Sequence, residues 1–102
     1  MNGEIKMSRE EILKILRTFK EEHGEKYGIT SLGLFGSMAR DENRPGSDVD
    51  VVLETKTPDP YNLVHIKEEL EQQLRLKVDI VRYRERMNPL LKNRIEKEAV
   101  YV

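Results

Sequence analysis

The chain has 102 residues, of which 36% are charged and 37% hydrophobic, so its length suits a single domain over residues 1–102 with a modest core. Its formal net charge of -1 lacks the basic excess that general nucleic-acid binding requires, and no apolar run is long enough to cross a membrane. The absence of cysteine excludes disulfides, thiolate zinc sites and cysteine nucleophiles.

The first predicted element is an amphipathic helix. Residues 1–7 read as a loose leader without an apolar stretch, so no signal peptide is predicted and a cytoplasmic location is expected. Ser8 and Glu11 form a capping box, and apolar residues then recur at three- and four-residue spacing. This pattern predicts a helix to about His23, and Gly24 and Gly28 supply stop signals.

Two strands are predicted around a turn and a loop. Ile29–Phe35 is the first strand, and it leads into a Gly-Ser turn. A short helix is predicted from Ser37 to about Asp41, and the Pro-Gly pair marks Glu42–Ser47 as a loop. The second strand is expected over Asp48–Glu54.

The second half of the chain predicts two more helices around a third strand. Asp59 and Asn88 each precede a proline, which is the pattern of an N-cap followed by the first helical residue. Leu76–Val81 is the third strand, and the crossover before it favours a parallel neighbour. The apolar tail, residues 99–102, could add an edge strand or dock on a partner. The predicted order is α-β-α-β-α-β-α, an α/β (α+β) fold.

Three aspartates suggest a cation site. Alternate residues of a strand share a face, so Asp48 and Asp50 project together. Asp79 lies between Val78 and Ile80 on the third strand and points away from them, so it can join the other two if the strands are neighbours. Adjacent carboxylates repel each other, and divalent cations that hold phosphates would relieve the repulsion.

The turn before these acids suits a nucleotide. Gly36 allows a phosphate to approach the backbone, and the following amides with the Ser37 hydroxyl can donate hydrogen bonds to it. Asp48 and Asp50 could bridge two metal ions, with Asp79 on the side of the attacking hydroxyl. The reaction indicated is an in-line attack on a nucleotide α-phosphorus.

These residues resemble a known family. Gly36-Ser37, ten residues, Asp48-x-Asp50 and a third aspartate in an apolar strand resemble the DNA polymerase beta-type nucleotidyltransferase superfamily, and the short length with Gly36-Ser37-Met38-Ala39-Arg40 resembles its minimal nucleotidyltransferase (MNT) proteins. The resemblance implies a small mixed β-sheet with helices packed on it and Mg²⁺-dependent transfer from ATP. It assigns metal binding and catalysis to Asp48, Asp50 and Asp79, and nucleotide binding to Gly36 and Ser37.

The resemblance also implies a partner. Many MNT proteins are antitoxins that neutralise a helical HEPN toxin by attaching AMP to one of its tyrosines, so protein AMP transfer is expected here. Two alternatives stay open: a non-catalytic antitoxin that binds its partner stoichiometrically, and a nucleotidyltransferase acting on a small molecule or nucleic acid. A homo-oligomer also stays open. Arg40 is expected to pair with a nearby acid, and Asp41 stands where the family usually has glycine.

Overall fold

The computed structural model describes residues 7–42, 44 and 46–102; most of the predicted leader and positions 43 and 45 of the predicted loop lie outside this range. In this part of the chain, no helix has the length and apolar character needed to span a bilayer. The elements are α1 (Arg9–Tyr27), β1 (Ile29–Phe35), β2 (Val49–Thr55), α2 (Pro60–Leu74), β3 (Val78–Arg82), α3 (Pro89–Glu98) and β4 (Val100–Tyr101).

Helix α1 begins at the predicted capping box but ends one turn later than predicted. The Ser8 hydroxyl accepts a hydrogen bond from the Glu11 amide at 3.1 Å, and the Glu11 carboxylate accepts one from the Ser8 amide at 2.9 Å. The predicted end near His23 is wrong because Tyr27 is buried against the core, which continues the helix. Gly28, at φ 68°, is the residue that ends it.

The predicted starts of α2 and α3 are confirmed. The Asp59 carboxylate accepts hydrogen bonds from the amides of the first turn of α2, and the Asn88 side chain does the same for α3. Each is followed by a proline, whose missing N–H would have had no partner at that position. Residues close together in sequence thus fix where both helices begin.

The helix predicted for Ser37–Asp41 is wrong. The segment forms a turn, in which the Arg40 amide donates to the Gly36 carbonyl at 3.1 Å and the Glu42 amide to the Ser37 carbonyl at 2.9 Å. Asp41, at φ 59°, reverses the chain before a regular helix can develop. The observed order is therefore α-β-β-α-β-α-β.

The left-handed conformation of Asp41 gives a testable stability effect. Replacing it with glycine should raise the free energy of unfolding by about 0.5 kcal/mol, because glycine adopts positive φ without steric cost. The melting temperature should rise by roughly 2–4 °C. Asp41→Ala removes the same charge but keeps a Cβ, so it should lower the melting temperature; a rise for both variants would assign the effect to charge.

The sheet is mixed, as expected. Its strand order is β3-β2-β1-β4, with β2 and β3 parallel and the other two pairs antiparallel. The crossover through α2 thus joins adjacent parallel strands. The tail forms the edge strand β4, which was one of its two predicted roles, and pairs with Gly33 and Leu34 of β1.

Helices cover both faces of the sheet. Helices α1 and α2 pack on one face, where a core of fully buried side chains includes Phe19, Leu34 and Leu70. Helix α3 packs on the other face, where Ile95 meets Phe35 and Val52 in a smaller cluster. Burial of each large apolar side chain contributes about 1.5–3 kcal/mol, so the α1–α2 layer supplies most of the hydrophobic stabilisation.

Candidate active site

The structure brings the aspartates of two strands side by side. Asp50 of β2 and Asp79 of β3 are partners in the parallel register, and Phe35, the last residue of β1, is the antiparallel partner of Asp50. Val49 and Val51 point into the α1–α2 core. Asp50 therefore projects from the opposite face, the one that α3 covers.

Asp48 and Asp79 belong to the same face. Asp79 alternates with Val78 and Ile80, which both pack in the α1–α2 core. Asp48 immediately precedes β2 and is two residues from Asp50, and both Asp48 and Asp79 are exposed. The sheet thus places the three acids together at the end of β2 and β3 where these parallel strands begin.

Asp50 is the acid that the fold constrains most. Its side chain is partly buried, and this burial raises the pKa of Asp50 above its ordinary value of 3.8. The nearby charges of Asp79 and Asp48 raise the pKa further, whereas Arg94 and Arg40 oppose the rise. The folded protein therefore holds Asp50 in an environment that disfavours its ionised form.

Gly36 and Ser37 directly follow β1, beside Asp50. Gly36 is buried at φ 78°, and a Cβ added to it would overlap the Oδ2 atom of Asp50 and lie 3.1 Å from its Cγ. A glycine is therefore required both by the backbone conformation and by the close carboxylate. Because this segment is a turn, any phosphate here would meet turn amides, not the start of a helix.

Sequence reasoning missed a carboxylate that contacts this turn. Glu98, in the last turn of α3, accepts hydrogen bonds from the Gly36 amide at 3.3 Å and from Arg40 at 3.0 Å. Arg40 also donates to Glu42 at 2.9 Å, so its predicted pairing with an acid is confirmed. Arg94, one helical turn before Glu98, lies 3.9 Å from it. Their i, i+4 spacing was visible in the sequence, but their position over the turn depends on how α3 packs.

The donor set suits a hard cation, although the side chains are not closed around one. Among residues 7–42, 44 and 46–102, no three His, Cys, Asp or Glu side chains are gathered as a ready metal site. The three aspartates offer only carboxylate oxygens, the ligands that Mg²⁺ prefers. Asp48 and Asp79 are exposed, so their side chains have room to turn towards a cation. The three aspartates therefore fit a magnesium site.

Comparison with known proteins identifies the family. The sequence profile described as "Nucleotidyltransferase domain" matches residues 13–102. The chain belongs to this nucleotidyltransferase family. A Methanocaldococcus jannaschii protein provisionally named a protein adenylyltransferase is 36% identical, with 90% of this chain and 95% of that protein covered. Protein adenylyltransferase MntA of Thermococcus cleftensis is 37% identical, with 94% and 97% covered.

Solved structures agree with this assignment. A candidate minimal nucleotidyltransferase superposes with a TM-score of 0.77 at 27% identity, over 92% of this chain and 95% of that one. A structure of a tri-AMPylated Shewanella oneidensis HEPN toxin with its MNT antitoxin gives a TM-score of 0.58 at 20% identity, over 91% of this chain and 66% of that chain, and shows likeness of fold alone. The predicted nucleotidyltransferase fold, the MNT resemblance and protein AMP transfer as the activity of the family are confirmed.

Proposed function

We propose that this nucleotidyltransferase moves AMP from ATP to a tyrosine hydroxyl of a HEPN-type toxin and thereby acts as an antitoxin. The observation that carries the proposal is the register that pairs Asp50 with Asp79, next to the Gly36 turn. Relatives of nearly the same length, named protein adenylyltransferases, support it. The reaction would take place in the cytoplasm, where ATP is available.

Each predicted site residue has a place in this reaction. Asp48, Asp50 and Asp79 would hold Mg²⁺, which supplies charge neutralisation for the triphosphate and for the departing pyrophosphate. The turn at Gly36, which has no Cβ, would let the phosphates approach the backbone, and the Ser37 hydroxyl would donate a hydrogen bond to them. Asp79 lies on the edge strand β3. It would face the incoming tyrosine and take the proton of its hydroxyl as that hydroxyl attacks the α-phosphorus.

The partial burial of Asp50 supports a catalytic role. A carboxylate that burial and two neighbouring acids push towards its neutral form lowers the stability of the folded protein. Such a cost is typical of sites where groups are held ready for a cation or a reacting group. A surface that only binds a partner has no comparable need for three adjacent acids.

The test uses the purified chain with Mg²⁺, α-labelled ATP and a HEPN-type toxin as the acceptor protein. We expect label on that protein, and we expect Asp48→Asn to reduce the initial rate by at least about 10³-fold, because the substitution removes one charged ligand of the cation. Replacing the acceptor tyrosine with phenylalanine should also abolish labelling.

The two alternatives predict different results. If Asp48→Asn still silences the toxin at equal dose, neutralisation is stoichiometric binding and AMP transfer is dispensable. If label appears only in a small-molecule or nucleic-acid fraction, the acceptor is not the toxin. Either result would contradict the proposal.

A further inference from the structure

The carboxylate of Glu98 occupies a position suited to a phosphate oxygen. Its Oε1 atom accepts hydrogen bonds from the Gly36 amide at 3.3 Å and from Arg40 at 3.0 Å, and the Arg94 guanidinium lies 3.9 Å from the same atom. A backbone amide and guanidinium groups are also the donors with which proteins bind phosphate. One oxygen of Glu98 therefore occupies a set of donors that a triphosphate would use.

These donors belong to the candidate nucleotide site. Gly36 forms the turn against the Asp50 carboxylate, which lies where a Cβ of residue 36 would be. Burial raises the pKa of Asp50, and Arg94 and Arg40 are cations that oppose this rise. Both arginines are thus close enough to act on the acids that would hold Mg²⁺. A phosphate bound by that cation and lying against the turn would approach the position that Glu98 occupies.

Helix α3 holds Glu98 only weakly at this position. Glu98 is the last residue of the helix, and the carbonyl end of a helix disfavours a negative charge. The 3.3 Å distance to the Gly36 amide is longer than the usual limit of about 3.2 Å for such a hydrogen bond. The side chain of Glu98 is 22% exposed, so it has a path into solvent. Arg94, one helical turn earlier, offers a partner to the carboxylate when it leaves the turn.

A triphosphate and Glu98 cannot share these donors. The Gly36 amide has one hydrogen, so one acceptor at a time makes a good hydrogen bond with it. A phosphate oxygen beside this amide would also lie within contact distance of the Glu98 carboxylate. Like charges at such a distance repel each other and weaken binding. ATP can therefore use the Gly36 amide only after Glu98 has left it.

We propose that Glu98 is an internal competitor of ATP at the nucleotide turn. The inference rests on the proposed function and adds a device that sets the affinity of the same site for nucleotide. In the free chain, Glu98 holds the Gly36 amide and Arg40. When ATP binds, an oxygen of its triphosphate takes both donors, and the Glu98 carboxylate turns towards Arg94. Glu98 therefore raises the concentration of ATP at which the site fills.

Binding of ATP without an acceptor protein tests this competition separately from transfer. The full chain is titrated with ATP and Mg²⁺ in a calorimeter. Glu98→Gln removes the competing charge but keeps an oxygen for the Gly36 amide, and we expect it to bind ATP at least about tenfold more tightly. Glu98→Ala, which removes the competitor altogether, should bind ATP at least as tightly as Glu98→Gln. If Glu98 instead positions the turn for the nucleotide, both variants should bind ATP more weakly than the wild type, which would overturn the proposal.

Glu42→Gln is the matched control for Glu98→Gln. Glu42 is an exposed acid that accepts a hydrogen bond from the same arginine, Arg40, at 2.9 Å, whereas the Gly36 amide donates to Glu98. Loss of the Glu42 charge should therefore change the affinity for ATP by less than about twofold. An equal gain in affinity for Glu42→Gln and Glu98→Gln would show a general effect of charge and would overturn the competition.

Thermal melts give a second readout, and the possible failures can be told apart. Saturating ATP should raise the melting temperature of Glu98→Gln more than that of the wild type, because the variant binds ATP more tightly. A wild-type chain that labels no toxin, together with tighter ATP binding by Glu98→Gln, would contradict the proposed function alone. A wild-type chain that labels the toxin but binds ATP as tightly as Glu98→Gln would overturn the competition alone. Absence of ATP binding in every variant would contradict both.

Discussion

Gly36→Ala should abolish most of the activity and also destabilise the fold. The new methyl group overlaps the Oδ2 atom of Asp50, and the backbone at φ 78° disfavours any side chain. We expect a loss of about 2–3 kcal/mol in the free energy of unfolding. The carboxylate must also move, and a displacement near 1 Å should lower the rate by at least about 10²-fold. Initial rates of AMP transfer and thermal melts measure the two effects.

Gly46→Ala is the matched control for this substitution. Gly46 has φ 88°, close to that of Gly36, but an added Cβ there meets nothing within 4 Å. It should therefore show only the cost of the backbone conformation, about 1 kcal/mol, and retain activity. If the two variants lose the same stability and the same activity, the contact between Gly36 and Asp50 has no role.

Asp50→Asn should separate activity from stability. The amide keeps the shape of the carboxylate but not its charge, so we expect the transfer rate to fall by at least about 10³-fold. The melting temperature at neutral pH should rise, because the substitution removes a charge that burial and the acids Asp79 and Asp48 disfavour. Asp48→Asn is the control: that residue is exposed, so its removal should lower the rate with a smaller change in melting temperature.

The same residue predicts a pH dependence of stability. Because the pKa of Asp50 is raised in the folded protein above 3.8, the folded state binds this proton more tightly than the unfolded chain does. The resulting stabilisation is complete below about pH 3.8 and is lost as pH rises through the folded pKa. We therefore expect the wild-type protein and Asp50→Asn, both melted in the presence of a chelator, to have the same melting temperature in acid. Towards pH 7 the two melting temperatures should diverge, with that of Asp50→Asn the higher. A constant difference across this range would contradict the assignment.

Errors in the predicted elements came from residues whose conformation depends on distant contacts. Gly24 is an ordinary stop signal, yet α1 continues past it because Tyr27 reaches the core. The segment after Gly36 has the composition of a helix start, but the left-handed Asp41 and the return into β2 limit it to a turn. Both features require knowledge of what the chain packs against.

The candidate site also contains residues that local spacing predicts and residues that only tertiary contacts bring together. The two-residue spacing of Asp48 and Asp50 places them on one face of any strand, so sequence alone was sufficient to predict that pair. Glu98 lies 62 residues from the amide that it contacts. No local pattern connects such residues.

By itself the sequence determined the features that depend on backbone sterics and short spacing: the helix caps, the strand periods, the paired aspartates and the family. The tertiary structure alone decided that Asp79 stands beside Asp50, that Gly36 touches Asp50, and that Glu98 contacts the turn at Gly36. The physical reason is that strand order and register follow from the burial of the whole core, a sum over distant side chains.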